Sequence, residues 1–287
     1  MEKLTSHQKG LSAILLAAFL WSTGGVFIKL ISLNSLQLSF FRALLSALTI
    51  LVLFRKEAVK FNPGTLLNGL FYAAILILFV VAAKLTTVAN AIFLQYTAPI
   101  YVFLLEPLIL KTKFEKINLI TIIICVAGML LFFAGDLSPG DKTGNIAAIL
   151  SGICFAGFLI GMRKNKPEYQ FATIFYGNVF ITLFCSFSVF ELNTLLFRDV
   201  VMFSYLGIFQ IGIAYVIFSY GLKRVHAIEA SLLSMVEPVL NPVWTYLGYG
   251  EVPSIYSIFG GIIIIVGLTL KTLQLEKSKM LRTFFRL

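Results

Sequence analysis

The chain has 287 residues, of which 59% are apolar and 13% are charged. An average soluble domain carries roughly twice that share of charge, so the composition excludes a water-soluble enzyme. Charge-free runs recur along the whole sequence, and each is long enough to cross a hydrocarbon core about 30 Å thick as a helix. The sequence therefore predicts a multi-pass, all-α integral membrane protein.

Ten membrane-spanning helices are predicted when the apolar runs are divided at Pro, Gly, Asn and charged residues. In chain order they cover residues 11–32, 36–54, 64–83, 88–110, 117–135, 144–162, 169–190, 200–222, 227–249 and 254–271. The first follows a short basic segment, as a signal peptide does. It is too long for a cleaved apolar region, and another span follows at once, so we expect a retained helix.

Lysine and arginine are distributed unevenly between the loops. With both termini placed in the cytoplasm, the inner segments hold 18 of these residues and the outer loops hold three. Cytoplasmic loops normally carry this excess, and one missed or invented helix would destroy the alternation. We therefore predict cytoplasmic N and C termini. The net charge of +10 is explained by basic loops facing anionic lipid, so no nucleic-acid partner is predicted.

An internal repeat divides the sequence into two halves. An offset of 139 residues aligns 84–131 with 223–270 and superposes Pro99 on Pro238 and Gly128 on Gly267, while an offset of 134 relates Trp21 to Phe155. We predict a first five-helix repeat at 1–135, an external linker at 136–143, and a second repeat with a short basic cytoplasmic tail at 144–287. Because five is odd, the halves are inverted in the membrane, which is typical of transporters with two alternating conformations.

Several motifs resemble those of a known family. They are Trp21 with Gly24 and Gly25, Phe40-Phe41-Arg42, the segment 94–99 (LQYTAP), Glu237-Pro238-Val239, and Gly250-Glu251. Together they resemble the ten-helix, EamA-type permeases of the drug/metabolite transporter superfamily. The resemblance implies two inverted five-helix repeats around a central cavity, which is lined largely by the third, fourth, eighth and ninth spans with the first and sixth.

Two prolines inside predicted spans mark candidate binding positions. Pro99 and Pro238 each release the carbonyl four residues earlier, on Gln95 and Ser234. Unpaired backbone at membrane depth persists only where protein or a wet cavity satisfies it. A harmless kink is the alternative, but the repeat places both prolines at the same depth and favours a cavity.

Polar residues near these prolines form a stripe on each helix. Helical periodicity places one set in a single sector of the fourth span and its repeat partners in the ninth. The two sets are Gln95, Pro99, Val102 and Glu106, and Ser234, Pro238, Asn241 and Thr245. A shared central site is one interpretation, and hydrogen bonding between helices is the other.

Arg42 and Glu237 are the deepest predicted charges, two to three turns from the nearest membrane surface. Such groups are costly in a bilayer and usually pair or face water. The hypothesis is that Glu237 titrates or binds a cationic group, while Arg42 binds a carboxylate or neutralises Glu237 structurally. Glu106 is the second candidate for proton coupling.

Aromatic residues supply further candidates. Trp21, Tyr72, Tyr101 and Trp244 have the flat side chains that stack on a planar substrate. Packing between helices or against lipid is the commoner role of such residues. They therefore extend the list of candidate binding residues without identifying the substrate.

Other function classes lack their usual residues. The histidines are His7 and His226 only, the aspartates lie outside the predicted spans, and no phosphate-binding P-loop is present, which argues against an enzyme or an ATP-driven pump. The three cysteines lie in apolar runs and indicate neither disulfides nor a metal site. No cofactor is predicted. A channel usually needs a ring of repeated filter groups.

These observations predict a secondary active transporter of small organic metabolites that works by alternating access. The family resemblance favours export of amino acids or related compounds across a bacterial inner membrane. The alternative is import of a vitamin, nucleobase or other planar metabolite. The expected partners are the lipid bilayer, the substrate and protons as a coupling ion, and the protein is expected to be a monomer or a homodimer.

Overall fold

A computed structural model of the chain describes residues 4–134, 141–192, 194–250, 252 and 254–284, and all regular structure within them is helical. The first half contains α1 (Ser6–Ser22), α2 (Gly24–Leu30), α3 (Ser35–Ala58), α4 (Pro63–Leu85), α5 (Val88–Gln95), α6 (Ala98–Leu110) and α7 (Lys116–Phe132). The second half contains α8 (Lys142–Lys164), α9 (Gln170–Cys185), α10 (Phe197–Tyr205), α11 (Ala214–Leu222), α12 (Ala227–Ser234), α13 (Val236–Tyr249) and α14 (Ile255–Phe284). A π-helical segment, Leu206–Ile213, joins α10 to α11, and 3₁₀ turns at Pro167–Tyr169 and Ser186–Glu191 flank α9.

Side chains of the connecting segments start several of these helices. Asn34 accepts hydrogen bonds from the first turn of α3, and the Gln37 side chain accepts from the Asn34 backbone N–H, which completes a capping box. Asn62 caps α4, whose first residue is Pro63, and Asp141 caps α8. These interactions satisfy N–H groups that a helix start leaves without an intrahelical partner.

Among the described residues, eight helical stretches are long and apolar enough to cross a membrane. They are Ser6–Ile28, Ser35–Ala58, Pro63–Leu85, Ala89–Leu110, Lys142–Lys164, Pro167–Glu191, Phe197–Leu222 and Ile255–Thr272, and a shorter apolar helix covers Lys116–Phe132. The predicted ninth span, 227–249, is divided into α12 and α13. The all-helical membrane architecture is thus confirmed, while the count of ten crossings and the side of each terminus stay predictions.

Three of the predicted spans are broken within their length, which hydropathy did not indicate. The first breaks at Thr23, the fourth at Tyr96 and Thr97, and the ninth at Met235. The first break follows from local chemistry, because the Thr23 hydroxyl bonds back to the Leu20 carbonyl and two glycines follow. Tyr96 and Met235 are 3% and 1% exposed, so protein surrounds both of the proline-associated breaks.

The repeat spacing recurs in the helix boundaries. Val88–Gln95 and Ala227–Ser234 begin and end 139 residues apart, as do the starts of α7 and α14. Earlier in each half, α4 and α10 begin 134 residues apart. Three of the five extra residues lie in the observed helical stretch Phe197–Leu222, which has 26 residues against 23 in Pro63–Leu85. The other two lie in the loop that follows it. This longer span contains the π-helical segment.

Helix packing interlocks the two halves. The third predicted span packs on the sixth through α4 and α8, and the first packs on the eighth through α1 and α11. In the repeat, the third span corresponds to the eighth and the first to the sixth. The two contacts are therefore equivalent. Helices α3 and α9 pack on each other, as do α7 and α14. The central cavity lies between the two halves. Residues 136–140 of the predicted linker and Glu251 lie outside the described residues, and the division at 135 and 144 stays a prediction.

Candidate functional site

A cavity of about 50 Å³ lies between the halves, with walls from both. Its polar lining combines one cation, one carboxylate and two amides with aromatic rings. The lining residues are Trp21, Arg42, Ile75, Leu76, Phe79, Gln95, Tyr96, Phe155, Gln210, Ile211, Tyr215 and Glu237. Each polar group reaches the cavity from a different helix or helix break, so the site exists only when the whole bundle is assembled.

Arg42 is 3% exposed and projects from the middle of α3. Its Nη2 donates to Oε1 of Gln210 at 3.2 Å, while its Nε and Nη1 have no hydrogen-bond partner among the described residues. No carboxylate of the described residues lies within 4.0 Å of the guanidinium. A buried cation with unsatisfied donors is energetically costly, which favours an acceptor that enters from outside the chain.

Glu237 projects into the same cavity from the first turn of α13, directly after the break at Met235. Its Oε2 accepts a hydrogen bond from the Tyr96 hydroxyl at 2.5 Å. Tyr96 itself lies in the break between α5 and α6, so the two helix breaks meet across the cavity. The carboxylate and the Arg42 guanidinium line one cavity without forming a direct ion pair.

Aromatic rings form one wall of the cavity. Tyr215 lies 4.7 Å from Trp21 and 4.7 Å from Tyr72, measured between ring centroids. Tyr72 is fully buried behind Tyr215, and its hydroxyl accepts a hydrogen bond from Asn178. The indole Nε1 of Trp21 is buried without a partner among the described residues. The wall therefore adds a further unsatisfied donor to those of Arg42.

Gln95 is held by neighbouring helices. Its Nε2 donates to the Ser151 hydroxyl at 2.7 Å, and that hydroxyl donates to the Ile75 carbonyl. Gly152 of α8 lies against the Gln95 carbonyl, where a Cβ would approach the oxygen to 2.7 Å. The carbonyl that Pro99 releases is therefore covered closely by a glycine of the other half.

The structure brings four of the sequence-predicted residues to this cavity: Trp21, Arg42, Gln95 and Glu237. The other predicted binding residues do not line it. They are Tyr72, Pro99, Tyr101, Ser234, Pro238, Asn241 and Trp244.

Ser234 is fully buried and donates to the Ala230 carbonyl in its own helix. Asn241 lies against Gly25, and Trp244 donates to the Ser22 hydroxyl at 2.7 Å. Both therefore contact the break in the first span.

The single polar stripe expected on the fourth span is split. Gln95 faces the central cavity, whereas Glu106 faces a second cavity of about 610 Å³ toward the predicted inner end. The break at Tyr96 and Thr97 interrupts the helix. The constant rotation per residue that would place Gln95 and Glu106 on one helix face therefore does not continue across it. Glu106 accepts from the backbone N–H groups of Ala227 and Ile228 at 3.1 and 2.9 Å. It thus caps α12 from another helix, and its proton-coupling role stays a prediction.

Three polar residues of the cavity were missed from sequence: Tyr96, Gln210 and Tyr215. Tyr96 follows Gln95 directly, and the helix break lets both face the cavity. Gln210 lies in the π-helical segment, a feature that often occurs at functional sites. A lone Gln in the middle of an apolar span is the signal in the sequence for this residue.

The predicted outer end of the first span is fastened by polar contacts. Arg198 and Lys84 donate to the carbonyls of Leu30 and Ile31 at 3.2 Å each, at the C-terminal end of α2. Asp199 accepts from the backbone and hydroxyl groups of Ser32. Cations at a helix C-terminus are favourable because that end carries partial negative charge. These contacts therefore hold α2 at its C-terminal end.

Known proteins are similar in sequence to this chain over most of their length. An uncharacterized transporter of Archaeoglobus fulgidus is 26% identical, over 90% of this chain and 94% of the relative. The pseudopaline exporter CntI of Pseudomonas aeruginosa is 23% identical, over 90% and 94%, and human solute carrier family 35 member G1 is 22% identical, over 89% and 76%. A solved crystal structure superposes with a TM-score of 0.79 at 17% identity, covering 92% of this chain and 96% of that one, and shows the same fold.

The EamA-like transporter family matches the chain twice, over residues 8–134 and 142–273. These two matches cover nearly all of the described helices, including those that line the central cavity. The relatives named above are transporters, as the apolar helices and the buried polar cavity lead one to expect. The protein is thus a multi-pass membrane protein that belongs to the EamA-like transporter family.

Proposed function

We propose that the protein is a secondary active transporter of small zwitterionic metabolites, amino acids first among them, working by alternating access. The observation that carries the proposal is the pair of opposite charges in one cavity. Arg42 offers two donors without partners, and Glu237 lies in the same cavity without an ion-pair partner among the described residues. An α-amino acid presents a carboxylate and an ammonium group that complement both.

In this proposal the substrate carboxylate binds Arg42 and its ammonium group binds Glu237. The Trp21 indole N–H adds a donor for the carboxylate, and Tyr96 keeps Glu237 oriented. Glu237 also serves as the proton-coupling group: it holds a proton when the site is empty and releases it when the ammonium group binds. Export from a bacterial cytoplasm is the favoured direction, which the relative named as an exporter supports.

The aromatic wall favours a second candidate, import of a planar metabolite such as a nucleobase or vitamin. Trp21 and Tyr215 both line the cavity, with their ring centroids 4.7 Å apart. A planar ligand without a carboxylate would stack there and leave the Arg42 donors unmet. The two candidates therefore differ in whether binding depends on Arg42.

Thermal unfolding of the purified protein against the twenty amino acids and a set of nucleobases tests both candidates. A ligand that binds the folded state raises the melting temperature. We expect an amino acid to do so, and we expect Arg42→Gln to weaken its binding about 10- to 100-fold, the usual cost of a hydrogen bond to a charged partner. Arg55→Gln, a change at an exposed position on the same helix, is the matched control.

Proteoliposomes then test the coupling. We expect saturable exchange of the same amino acid, driven by a pH gradient in the wild type and no longer driven by it in Glu237→Gln. The exposed Glu57→Gln serves as the control. Nucleobase binding that is unaffected by Arg42→Gln would replace the amino-acid proposal with the planar one, and flux that does not saturate would indicate a channel.

A further inference from the structure

Gln210 connects the central cavity to the break in the first predicted span. Its Oε1 accepts from Arg42 Nη2 at 3.2 Å, and its Nε2 donates to the Trp21 carbonyl at 3.3 Å. Gly24, the first residue of α2, lies so close that a Cβ there would come within 2.5 Å of the same Nε2. One amide side chain thus touches the cation of the site, the end of α1 and the start of α2.

The break at Ser22–Gly24, called the hinge below, has features that suit a change of helix direction. Ser22 and Thr23 bond back to carbonyls of their own helix, which weakens the backbone ladder at this point. The hinge is also held by two side chains from other helices: Trp244 donates to the Ser22 hydroxyl, and the Tyr205 hydroxyl lies 3.0 Å from that of Thr23. Beyond the hinge, α2 is only seven residues long and is fastened at its far end by Arg198 and Lys84.

A forked carboxylate and the Gln210 amide oxygen both bind Nη2 of Arg42. The guanidinium has two edges that bind a carboxylate with two parallel hydrogen bonds, and each of them includes Nη2. The nitrogens without partners, Nε and Nη1, belong to different edges. Nη2 carries two N–H groups, one on each edge, so a carboxylate in fork geometry displaces the Gln210 amide oxygen when it binds the edge that this oxygen occupies.

We propose that Gln210 is a positioning residue that couples carboxylate binding at Arg42 to movement of α2 about the hinge at Ser22–Gly24. When the carboxylate binds the edge of Arg42 that Gln210 occupies, the Gln210 amide loses its acceptor contact, withdraws from the Trp21 carbonyl and frees the space beside Gly24. Helix α2 then moves at its N-terminal end, next to the hinge, while its far end stays fastened. The inference rests on the proposed function only in taking a carboxylate as the ligand group.

A single cysteine on α2 measures this movement. Val26→Cys is introduced after Cys125, Cys154 and Cys185 are replaced by Ser, and its rate of reaction with a maleimide is recorded in detergent. The probes are L-alanine and its two halves, propionate, which keeps the carboxylate, and ethylamine, which keeps the amine. We expect L-alanine and propionate to change the rate about threefold or more and ethylamine to leave it unchanged, since only a ligand with differential affinity shifts the equilibrium.

Two variants of Gln210 separate coupling from binding. Gln210→Met removes both amide contacts, and we expect KM to stay within about threefold while kcat falls about tenfold and the Val26→Cys rate no longer responds to ligand. A merely structural role would not separate KM from kcat in this way. The matched control is Gln170→Met, which removes a buried amide at the start of α9 that bonds to the Met162 carbonyl.

Gln210→Glu tests the coupling without any ligand. Its carboxylate occupies Arg42 as a substrate would and offers no N–H to the Trp21 carbonyl, so we expect the empty variant to show the cysteine reactivity of the liganded wild type. Fluorescence of Trp244 in a Trp21→Phe background gives a second reading of the hinge, because its indole bonds to Ser22.

An empty Gln210→Glu protein that reacts like the empty wild type would overturn the coupling. So would an unchanged ligand response in Gln210→Met. If Gln210→Glu does alter the hinge but no amino acid binds the wild type, the coupling stands and the amino-acid proposal fails. The two proposals can therefore be judged separately.

Discussion

Individual charged residues have different roles according to the hydrogen bonds that the bundle gives them. Arg42 has donors without partners at the cavity and Glu237 lines the same cavity without an ion pair among the described residues, whereas both carboxylate oxygens of Glu106 accept hydrogen bonds from the N-terminus of α12. The sequence predicted all three from their depth in apolar spans. It did not distinguish ligand binding from capping, because that depends on which helix end lies opposite.

Removal of the Glu106 carboxylate leaves two buried N–H groups at the start of α12 without a partner. We expect Glu106→Ala to lower the free energy of unfolding by about 1–3 kcal/mol. Glu106→Gln retains one acceptor oxygen, and we expect a smaller loss. Thermal unfolding in detergent measures both, with Glu57→Ala at an exposed position as the control. Equal melting temperatures for Glu106→Ala and the control would refute the capping role.

His226 makes stability depend on pH. Glu106 Oε1 lies 3.7 Å from its Nδ1 and raises the pKa of His226, and Glu229 adds to this, whereas partial burial and Arg163 oppose it. A pKa raised in the folded state means that the stabilisation is fully present below the unfolded value of about 6.5 and is lost as pH rises through the folded value. We expect the melting temperature to fall over this range in the wild type.

Two variants check the assignment to His226. His226→Gln removes the titrating group, and Glu106→Gln removes its main carboxylate, so the fall in melting temperature should flatten in both. The effect is small because the imidazole is more than half exposed. A slope that persists in both variants would assign the pH dependence to another group.

At the scale of helices, hydropathy and the Pro, Gly, Asn and charged residues between apolar runs predicted where helical segments lie. Buried contacts decided where these segments break. The π-helical segment Leu206–Ile213 had no counterpart in the prediction, since the extra residues are visible only when the third and eighth spans are compared. Prolines 99 and 238 marked two of the breaks, because Pro removes a backbone donor. The break at Thr23 depends on Ser, Thr and Gly, which are also common in unbroken membrane helices.

Close packing of α7 on α14 depends on glycine. A Cβ at Gly260 would lie 2.3 Å from the Phe132 backbone nitrogen and 2.5 Å from the Gly128 carbonyl oxygen. Backbone atoms cannot move aside as a flexible side chain does, so we expect Gly260→Ala to destabilise the protein by about 1–3 kcal/mol or more. The measurement is thermal unfolding in detergent.

The neighbouring glycine provides the control for this prediction. At Gly261 the nearest atom to a new Cβ is a Val239 methyl group at 3.1 Å, and the next contacts are 3.7 Å or longer. We expect Gly261→Ala to be nearly neutral, since a side chain can yield by a few tenths of an ångström. Equal effects of the two substitutions would show that general helix propensity, and not the α7–α14 contact, determines the cost.

For the whole molecule, the distribution of basic residues predicts ten crossings with both termini inside. A cysteine-free chain with one cysteine in place of Lys142 or Lys166 tests this in intact cells, since both positions are exposed on either side of α8. We expect a membrane-impermeant maleimide to label Lys142→Cys directly and Lys166→Cys only after permeabilisation. Labelling of both from the same side would remove the crossing between them and overturn the topology.

The amino-acid sequence by itself determined that the chain is an all-helical membrane protein, since hydropathy and charge act on each segment separately. Its motifs also indicated the EamA resemblance, and the depth of Arg42 and Glu237 identified them as candidate site residues. Only the tertiary structure decided that these two share a cavity without pairing, that Glu106 caps another helix, and that Gln210 joins the site to the hinge. Those outcomes depend on helix rotation and on contacts between residues far apart in the chain, which local periodicity does not encode.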